Sequence, residues 1–327
     1  MFDFFIRGRC IIFNSVTSYL PIVTLLPLKT FHLRIYNKWK FLINYRLLPF
    51  LHLKGARKLE ELQHGNVLIR LNADSSLGPK GTVLEVPKDK IIYQELRHRG
   101  EWEKEVSKFL SESIRNLKKE SQDITFLDLG ANIGLISLQV LNNLEFNVKL
   151  IAVEPLPQHI SALERNLKSI SRNNEVLILP VALGLESKME YIHKQNTNSG
   201  NTSLIARVVP TDQVSKIRIQ MMDTEEFSSK YLQNDHNFVI KSDLQGFDAK
   251  VLARLGNEIW EKTYAASVEV WALKEIEAQD VINLVHKWKC FDRISWSSSF
   301  SNIVTLEEVK EFWLSENNTH RNIYLRK

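Results

Sequence analysis

The run Asp128-Leu-Gly-Ala-Asn-Ile-Gly134, with Glu154 placed 24 residues after Gly130, constrains the fold more than any other feature of the chain. Thr125–Leu129 is a short apolar strand, Gly130–Gly134 a glycine turn, and Leu135–Leu144 an apolar helix. Lys149–Val153 is the next strand and ends at Glu154-Pro155. A helix over 158–169 and a strand from Glu175 follow. Strand, helix, strand, helix, strand at this spacing predicts a parallel sheet covered on both faces, with right-handed crossovers. In such a turn Gly130 lets a ligand approach the backbone, and Gly134 lets the helix start close to the strand. The helix N-terminus offers free N–H groups. A carboxylate at the end of the second strand, here Glu154, can accept both ribose hydroxyls of an adenosine.

A dinucleotide site shares that acid, but its fingerprint needs a second glycine where this chain has Asn132, so that a pyrophosphate can approach. It has no use for an acid at Asp128. A phosphate-free ligand carrying a cationic amine does, and S-adenosylmethionine is such a ligand. A nicotinamide-dependent oxidoreductase and a catalytically inactive binding module stay open as alternatives.

Further segments continue the pattern in order: Gly100-Glu-Trp-Glu103, Val153-Glu-Pro155, Leu179-Pro-Val-Ala-Leu-Gly184, Asn201-Thr-Ser-Leu204, Asp223, Ile240-Lys-Ser-Asp-Leu-Gln-Gly-Phe-Asp248 and Val268-Glu-Val270. In this set, spanning roughly residues 66 to 300, the chain resembles the FkbM-type S-adenosylmethionine-dependent methyltransferases, a class I, Rossmann-like family. The resemblance implies methyl transfer to a hydroxyl oxygen of a glycan or secondary metabolite. It adds Pro155 and Ala182 to the cofactor-binding set of Asp128, Gly130, Asn132, Gly134 and Glu154. It also makes the polar stretch around Asn201 and Ser203 a candidate lid over the acceptor. One departure stands out: the family reads Lys-x-Asp-x-Glu-Gly at the fourth core strand, and here Gln245 replaces the Glu.

Ligands of open α/β sheets sit at the carboxyl ends of the strands. Asp128, Glu154, Asp243 and Glu269 each end a predicted strand and so share one edge. Methyl transfer to a hydroxyl needs alignment and removal of a proton. Asp243 is the candidate base. Lys241, two residues earlier on the same strand face, either orients the acceptor or restrains Asp243; a purely structural ion pair is the other reading. Glu269 is a candidate for binding the acceptor. Asp223, Asp243 and Asp248 are the only carboxylates that could form a metal set, their spacing is not diagnostic, and no metal is expected. His159, near a helix start, reads as a surface residue.

The charge is uneven. Residues 1–60 hold ten Lys or Arg and two acids, a net +8, whereas the remainder is net −3. Cys10 to Leu28 is free of charge for 19 residues but is broken by Pro21 and Pro27, a poor membrane span. Aromatics and cations alternate from Phe31 onward. The leading reading is an interfacial, helical arm in peripheral contact with an anionic membrane face; a packing or dimerisation arm comes second and an inserted anchor third. The acidic body, with no aromatic-basic stripe, predicts no nucleic-acid partner. Two cysteines, Cys10 and Cys290, give no disulfide framework and fit a cytoplasmic setting, with the arm at the inner face of the membrane.

The expected organisation is therefore a basic arm over 1–65, a small β cap with a linking helix over 66–118, and an α/β methyltransferase domain over 119–327. Within the cap, the sequence predicts a third strand at Lys90–Tyr93. In the last third it predicts a helix over Ala278–Trp288 with Val281, Ile282, Val285 and Trp288 on one side, and a capping box at Thr305.

Overall fold

The computed structural model describes residues 2–6, 9–13, 55–62, 65–89, 91–121, 123–168, 174–195, 202–205, 214–233 and 237–327. The chain divides into two units, 1–52 and 53–327. In the first, β1 (Phe2–Ile6) pairs antiparallel with β2 (Arg9–Phe13), Phe2 opposite Phe13. The helical arm is thus corrected over these residues, which are dense in Phe and Ile and favour extended backbone. Most of the charge-free run and the aromatic-basic stretch after it lie outside the described residues. Among the described residues no helix is long and apolar enough to cross a membrane.

The second unit opens with a three-stranded antiparallel cap: β3 (Ala56–Glu61), β4 (Asn66–Leu71) and β5 (Val83–Pro87). The cap therefore takes in a strand from the stretch expected to belong to the arm. Two helices follow, α1 (Ile92–Arg99) and α2 (Lys104–Leu117). The third strand expected at Lys90–Tyr93 is corrected to the start of α1. The Asp89 carboxylate accepts from the N–H groups of Ile91 and Tyr93 at 3.0 and 3.1 Å, which fixes the first turn, and Ile92, Tyr93 and Leu96 then face inward.

The core alternates as expected: β6 (Thr125–Leu129), α3 (Leu135–Asn142), β7 (Lys149–Val153), α4 (Pro157–Leu167), β8 (Glu175–Leu179). A second, mixed sheet interrupts it, formed by β9 (Ala182–Gly184), β10 (Lys188–Gln195), β11 (Thr202–Ser203) and β12 (Val214–Asp223), with β10 antiparallel to β11 and β12 and β9 parallel to β12. Then come α5 (Thr224–Tyr231), β13 (Phe238–Ser242), α6 (Asp248–Leu252), α7 (Asn257–Lys262), β14 (Thr263–Trp271), α8 (Ala278–Lys287), β15 (Arg293–Ser295), α9 (Leu306–Trp313) and β16 (His320–Arg326). The Thr305 capping box is present. The inward side of α8 holds Val281, Leu284 and Val285, with Trp288 buried just past its end, while Ile282 is exposed.

The main sheet runs β15-β16-β14-β13-β6-β7-β8. β6, β7, β8, β13 and β14 are mutually parallel, and β16 is antiparallel to both its neighbours. This is a Rossmann-like α/β fold with a mostly parallel sheet covered on both faces. Every residue of β6 and β13 is buried, as strands covered on both faces require. Alternate side chains feed two cores: Phe126 and Val239 join the cap, α2 and α3, whereas Leu127 and Ile240 join α6 and α8.

Polar bonds dock the cap onto this body. The fully buried Glu85 of β5 accepts from Asn66 Nδ2 at 2.8 Å and meets Arg165 of α4 at 3.0 Å. Asn166 accepts from the Glu85 N–H at 2.8 Å and donates to the Glu85 and Ile133 carbonyls, both at 2.9 Å. One amide therefore ties the cap, α4 and the glycine turn together. Asn166→Ala leaves these buried groups unpaired, and a loss of about 2 kcal/mol or more is expected. Urea unfolding reads it as a lower midpoint at unchanged slope. A change below about 0.5 kcal/mol would show that apolar packing alone holds the cap.

Candidate functional site

Strand register builds the site. Asp128 of β6 lies opposite Lys241 of β13, and both point to the cap side. Lys241 Nζ sits 3.3 Å from Asp128 Oδ1 and donates to the Gly130 carbonyl at 2.7 Å. Ser137 Oγ on α3 donates to Asp128 Oδ2 at 2.5 Å. Burial by itself disfavours the Lys241 charge, but Asp128, Asp243 and Glu103 together hold its pKa above the usual lysine value. Asp128 is wholly inaccessible and lines neither of the two cavities described below. The expectation that it meets a ligand's amine is corrected: its cation is Lys241. Lys241 is 4.0 Å from Asp243 Oδ2, so its closer partner is Asp128.

The glycine turn also differs in detail from its sequence reading. Gly130 has φ +75°, and a Cβ there would collide with the Asp243 carbonyl oxygen, so the close neighbour that requires a glycine is protein backbone. At Gly134, a Cβ would come within 2.6 Å of Leu163 on α4; this residue serves helix packing and lines neither cavity described below. Asn132 takes a left-handed φ of +52°, a conformation its short side chain tolerates.

Two cavities open at the carboxyl edge and share Gly130, Asn132, Asp243 and Gln245. The first, about 610 Å³, is an apolar slot between Pro155, Ala182, Ile192, Leu204 and Phe247, with Glu154 in its wall. Glu154 is 5% exposed. Its Oε2 accepts from the Asn132 N–H at 3.0 Å; its Oε1 accepts from the Leu156 N–H at 3.0 Å and meets His159 Nδ1 at 3.1 Å. His159, read from the sequence as a surface residue, is 4% exposed and lines the slot. Ser203 is corrected as well: it lines neither cavity, and its buried Oγ donates to the Gln245 carbonyl at 2.7 Å, stapling β11 over the turn after β13. Asn201 lies outside the described residues.

The second cavity, about 960 Å³, is lined by Trp102, Glu103, Lys241, Glu269, Trp271 and His320, besides the shared residues. Asp243 Oδ1 accepts from Gln245 Nε2 at 2.7 Å, and the same amide donates to Glu269 Oε2 at 3.1 Å. Trp271 Nε1 donates to Glu269 Oε2 at 2.6 Å, and His320 Nδ1 meets Oε1 at 2.7 Å. The His320 and Trp271 rings stack at 4.2 Å. Burial and the neighbouring Asp243 charge push Glu269 well above the carboxylate range. Burial also opposes the Asp243 charge, yet Lys241 and the hydrogen bonds from Glu269 and Gln245 outweigh it and hold Asp243 below its ordinary value. Glu103 is exposed at the cleft; the protein around it, then the Asp243 charge, push its carboxyl up to about 7. Gln139 of α3 positions this edge by bonding both the N–H and the carbonyl of Trp102, at 3.0 and 2.5 Å.

Sequence reasoning missed Glu103, Gln245, Trp271 and His320 as site residues. Glu103 and Gln245 stand inside segments that carried the resemblance, which was the available signal. His320 reaches the edge because β16 runs antiparallel, so that its first residue faces Trp271, the last of β14.

No protein-family model and no curated protein matches the chain. Solved structures to which it is similar include the bifunctional kinase-methyltransferase WbdD, at 11% identity and TM-score 0.38 over 68% of this chain. The chain spans 38% of the length of that protein. Fibrillarin from Aeropyrum pernix, solved with natively bound S-adenosyl-L-methionine, is similar at 11% identity and TM-score 0.34, over 83% of this chain and 97% of that one. A SAM-dependent methyltransferase from Agrobacterium tumefaciens is similar at 7% identity and TM-score 0.38, over 83% and 76%. Likenesses of this depth assign no residue of the cleft.

The three carboxylates that could have formed a metal set do separate work. Asp223 caps α5 by accepting from the Glu225 and Glu226 N–H groups. Asp248 accepts from Ser242 Oγ at 2.5 Å and from the Leu244 N–H, closing the turn that presents Asp243 and Gln245. Burial pushes Asp248 from 3.8 up to about 7. A raised carboxyl contributes stability that is complete below its unfolded value and is lost as pH rises through the folded one. The stability of Asp248→Asn relative to the parent is therefore expected to climb between about pH 4 and pH 7 and to level off above. Thermal unfolding across that range measures it; a pH-independent difference would show that Asp248 titrates normally.

Proposed function

We propose that this chain is an S-adenosylmethionine-dependent methyltransferase that methylates a hydroxyl oxygen on a glycan or similar hydroxylated metabolite. The observation that carries the proposal is the pair of cavities meeting at Asp243. One is an apolar slot with a buried carboxylate, Glu154, in its wall; the other is a wider cleft with carboxyls and stacked rings. The slot suits an adenosine, Asn132 and Gly130 border its junction with the cleft, and Pro155 and Ala182 form its walls. The FkbM resemblance agrees with this division.

Bound in the slot, S-adenosylmethionine would supply a methyl group already activated as a sulfonium, so no covalent enzyme intermediate is needed. Asp243 stands in both cavities, 26% exposed at its side chain. With its pKa lowered by Lys241, Asp243 would take the acceptor's hydroxyl proton as the methyl group passes to that oxygen and the bonding pair stays with the departing sulfur. Gln245 replaces the family's Glu where a third carboxylate would crowd Asp243 and Glu269; its amide donates to both instead. Trp271 and His320 offer a flat face to a ring, and Glu103 and Glu269 offer polar contacts to its hydroxyls.

Calorimetry with S-adenosylhomocysteine and with NAD tests the reading: the first binds and the second does not. Asp243→Asn is expected to keep that affinity and to lose about 10²- to 10⁴-fold in turnover. NAD binding in place of S-adenosylhomocysteine would favour the oxidoreductase; binding without any turnover on hydroxylated acceptors would favour an inactive module.

The +8 charge and the interleaved aromatics of residues 1–60 support a second part of the proposal, peripheral contact with an anionic membrane. The protein is expected to sediment with anionic liposomes and to be released by high salt, since surface attraction is screened. Indifference to liposomes would leave a packing or dimerisation arm; release by detergent alone would mean insertion.

A further inference from the structure

Glu154 has less acceptor capacity than a diol needs. An ionised carboxylate offers about four lone-pair sites. Three are already taken, by the Asn132 and Leu156 N–H groups and by His159 Nδ1. One site remains, on Oε2. The sequence expectation that this carboxylate serves both ribose hydroxyls therefore fails on stoichiometry, and a second acceptor is required.

His159 carries one. Because the carboxylate can only accept, Nδ1 holds the proton in their hydrogen bond, and in the neutral ring Nε2 bears a lone pair. Nε2 is buried and has no hydrogen-bond partner among the described residues, in a side chain 5% exposed that lines the same slot as Glu154. A buried polar atom left unpaired costs free energy that a ligand donor recovers on binding. The carboxylate fixes the ring's tautomer and leaves Nε2 as the acceptor of a side chain in the slot's wall.

We infer that His159 is a ligand-contacting residue, its Nε2 accepting one of the two vicinal ribose hydroxyls of the adenosyl ligand while Glu154 Oε2 accepts the other. The inference rests on the adenosyl reading above and adds a second half to its ribose recognition.

The test measures calorimetric affinity for S-adenosylhomocysteine and for its 2′-deoxy and 3′-deoxy analogues. The parent protein is expected to weaken about tenfold for either missing hydroxyl. In His159→Asn the amide nitrogen stands near the place of Nδ1 and keeps the bond to Glu154, but nothing replaces Nε2. This variant is expected to bind S-adenosylhomocysteine and one deoxy analogue equally, while still discriminating against the other. His159→Gln, whose amide oxygen can reach the place of Nε2, is expected to restore the lost discrimination. If His159→Asn retains both preferences, or weakens all three ligands by the same factor, the inference is overturned and His159 is a packing or orienting residue. If the parent protein binds none of the three, the adenosyl reading itself falls, and this inference with it.

Discussion

The Asp128–Lys241 pair is the contact on which the rest of the site depends. Two charges are taken out of water in the middle of a sheet, which is tolerable only because the register sets them face to face and because each has further polar partners. Ser137 brings α3 onto Asp128, and the Gly130 carbonyl brings the glycine turn onto Lys241. The pair thus joins the two central strands, the first helix and the turn between them. Its charge reaches further: Lys241 keeps Asp243 ionised while Glu269, one strand over and without a cation of its own so close, is driven toward its neutral form. Two carboxyls in hydrogen-bond contact with one amide are thus shifted in opposite directions: burial and the Asp243 charge raise Glu269, while Asp243 is lowered, against burial, by Lys241 and by its own hydrogen bonds.

Much of this was legible in the sequence because central parallel strands are unambiguous when both faces are covered. β6, β7 and β13 read as strands from their apolar runs, and the residues just past their ends, Glu154 and Asp243, fell at the edge where both cavities open. Less was legible where the local signal was weak or the cause was distant. β3 is exposed along nearly its whole length, so no apolar alternation marks it. Ile91-Ile92-Tyr93 is apolar enough for strand or helix, and Asp89, accepting from the N–H groups that follow it, favours helix. His159 lies five residues from its carboxylate in sequence, but nothing short of the fold shows that both turn into one slot. Gly130 lines both cavities, but the close approach that requires a glycine there is to the Asp243 carbonyl, more than a hundred residues away.

The cap and the glycine turn are bound by side-chain amides rather than by apolar contact alone. Asn166 bridges β5 to the Ile133 carbonyl, and Gln139 clasps both backbone groups of Trp102. Such two-sided amides fix position in a way that apolar packing does not, because each bond has a preferred direction. The cap is therefore more than a cover for one core: through Trp102 and Glu103 its connection to α2 supplies part of the wall of the wider cleft.

The shared border of the two cavities has a thermodynamic consequence. Gly130, Asn132, Asp243 and Gln245 belong to both, so whatever fills one cavity becomes part of the surroundings of the other. A positive charge at the border would steady the Asp243 carboxylate that an incoming hydroxyl must meet, and the arriving hydroxyl would steady that charge in return. Linkage makes the two benefits equal in size. In such an arrangement cofactor and acceptor are each other's effectors, acting across a border only a few residues wide.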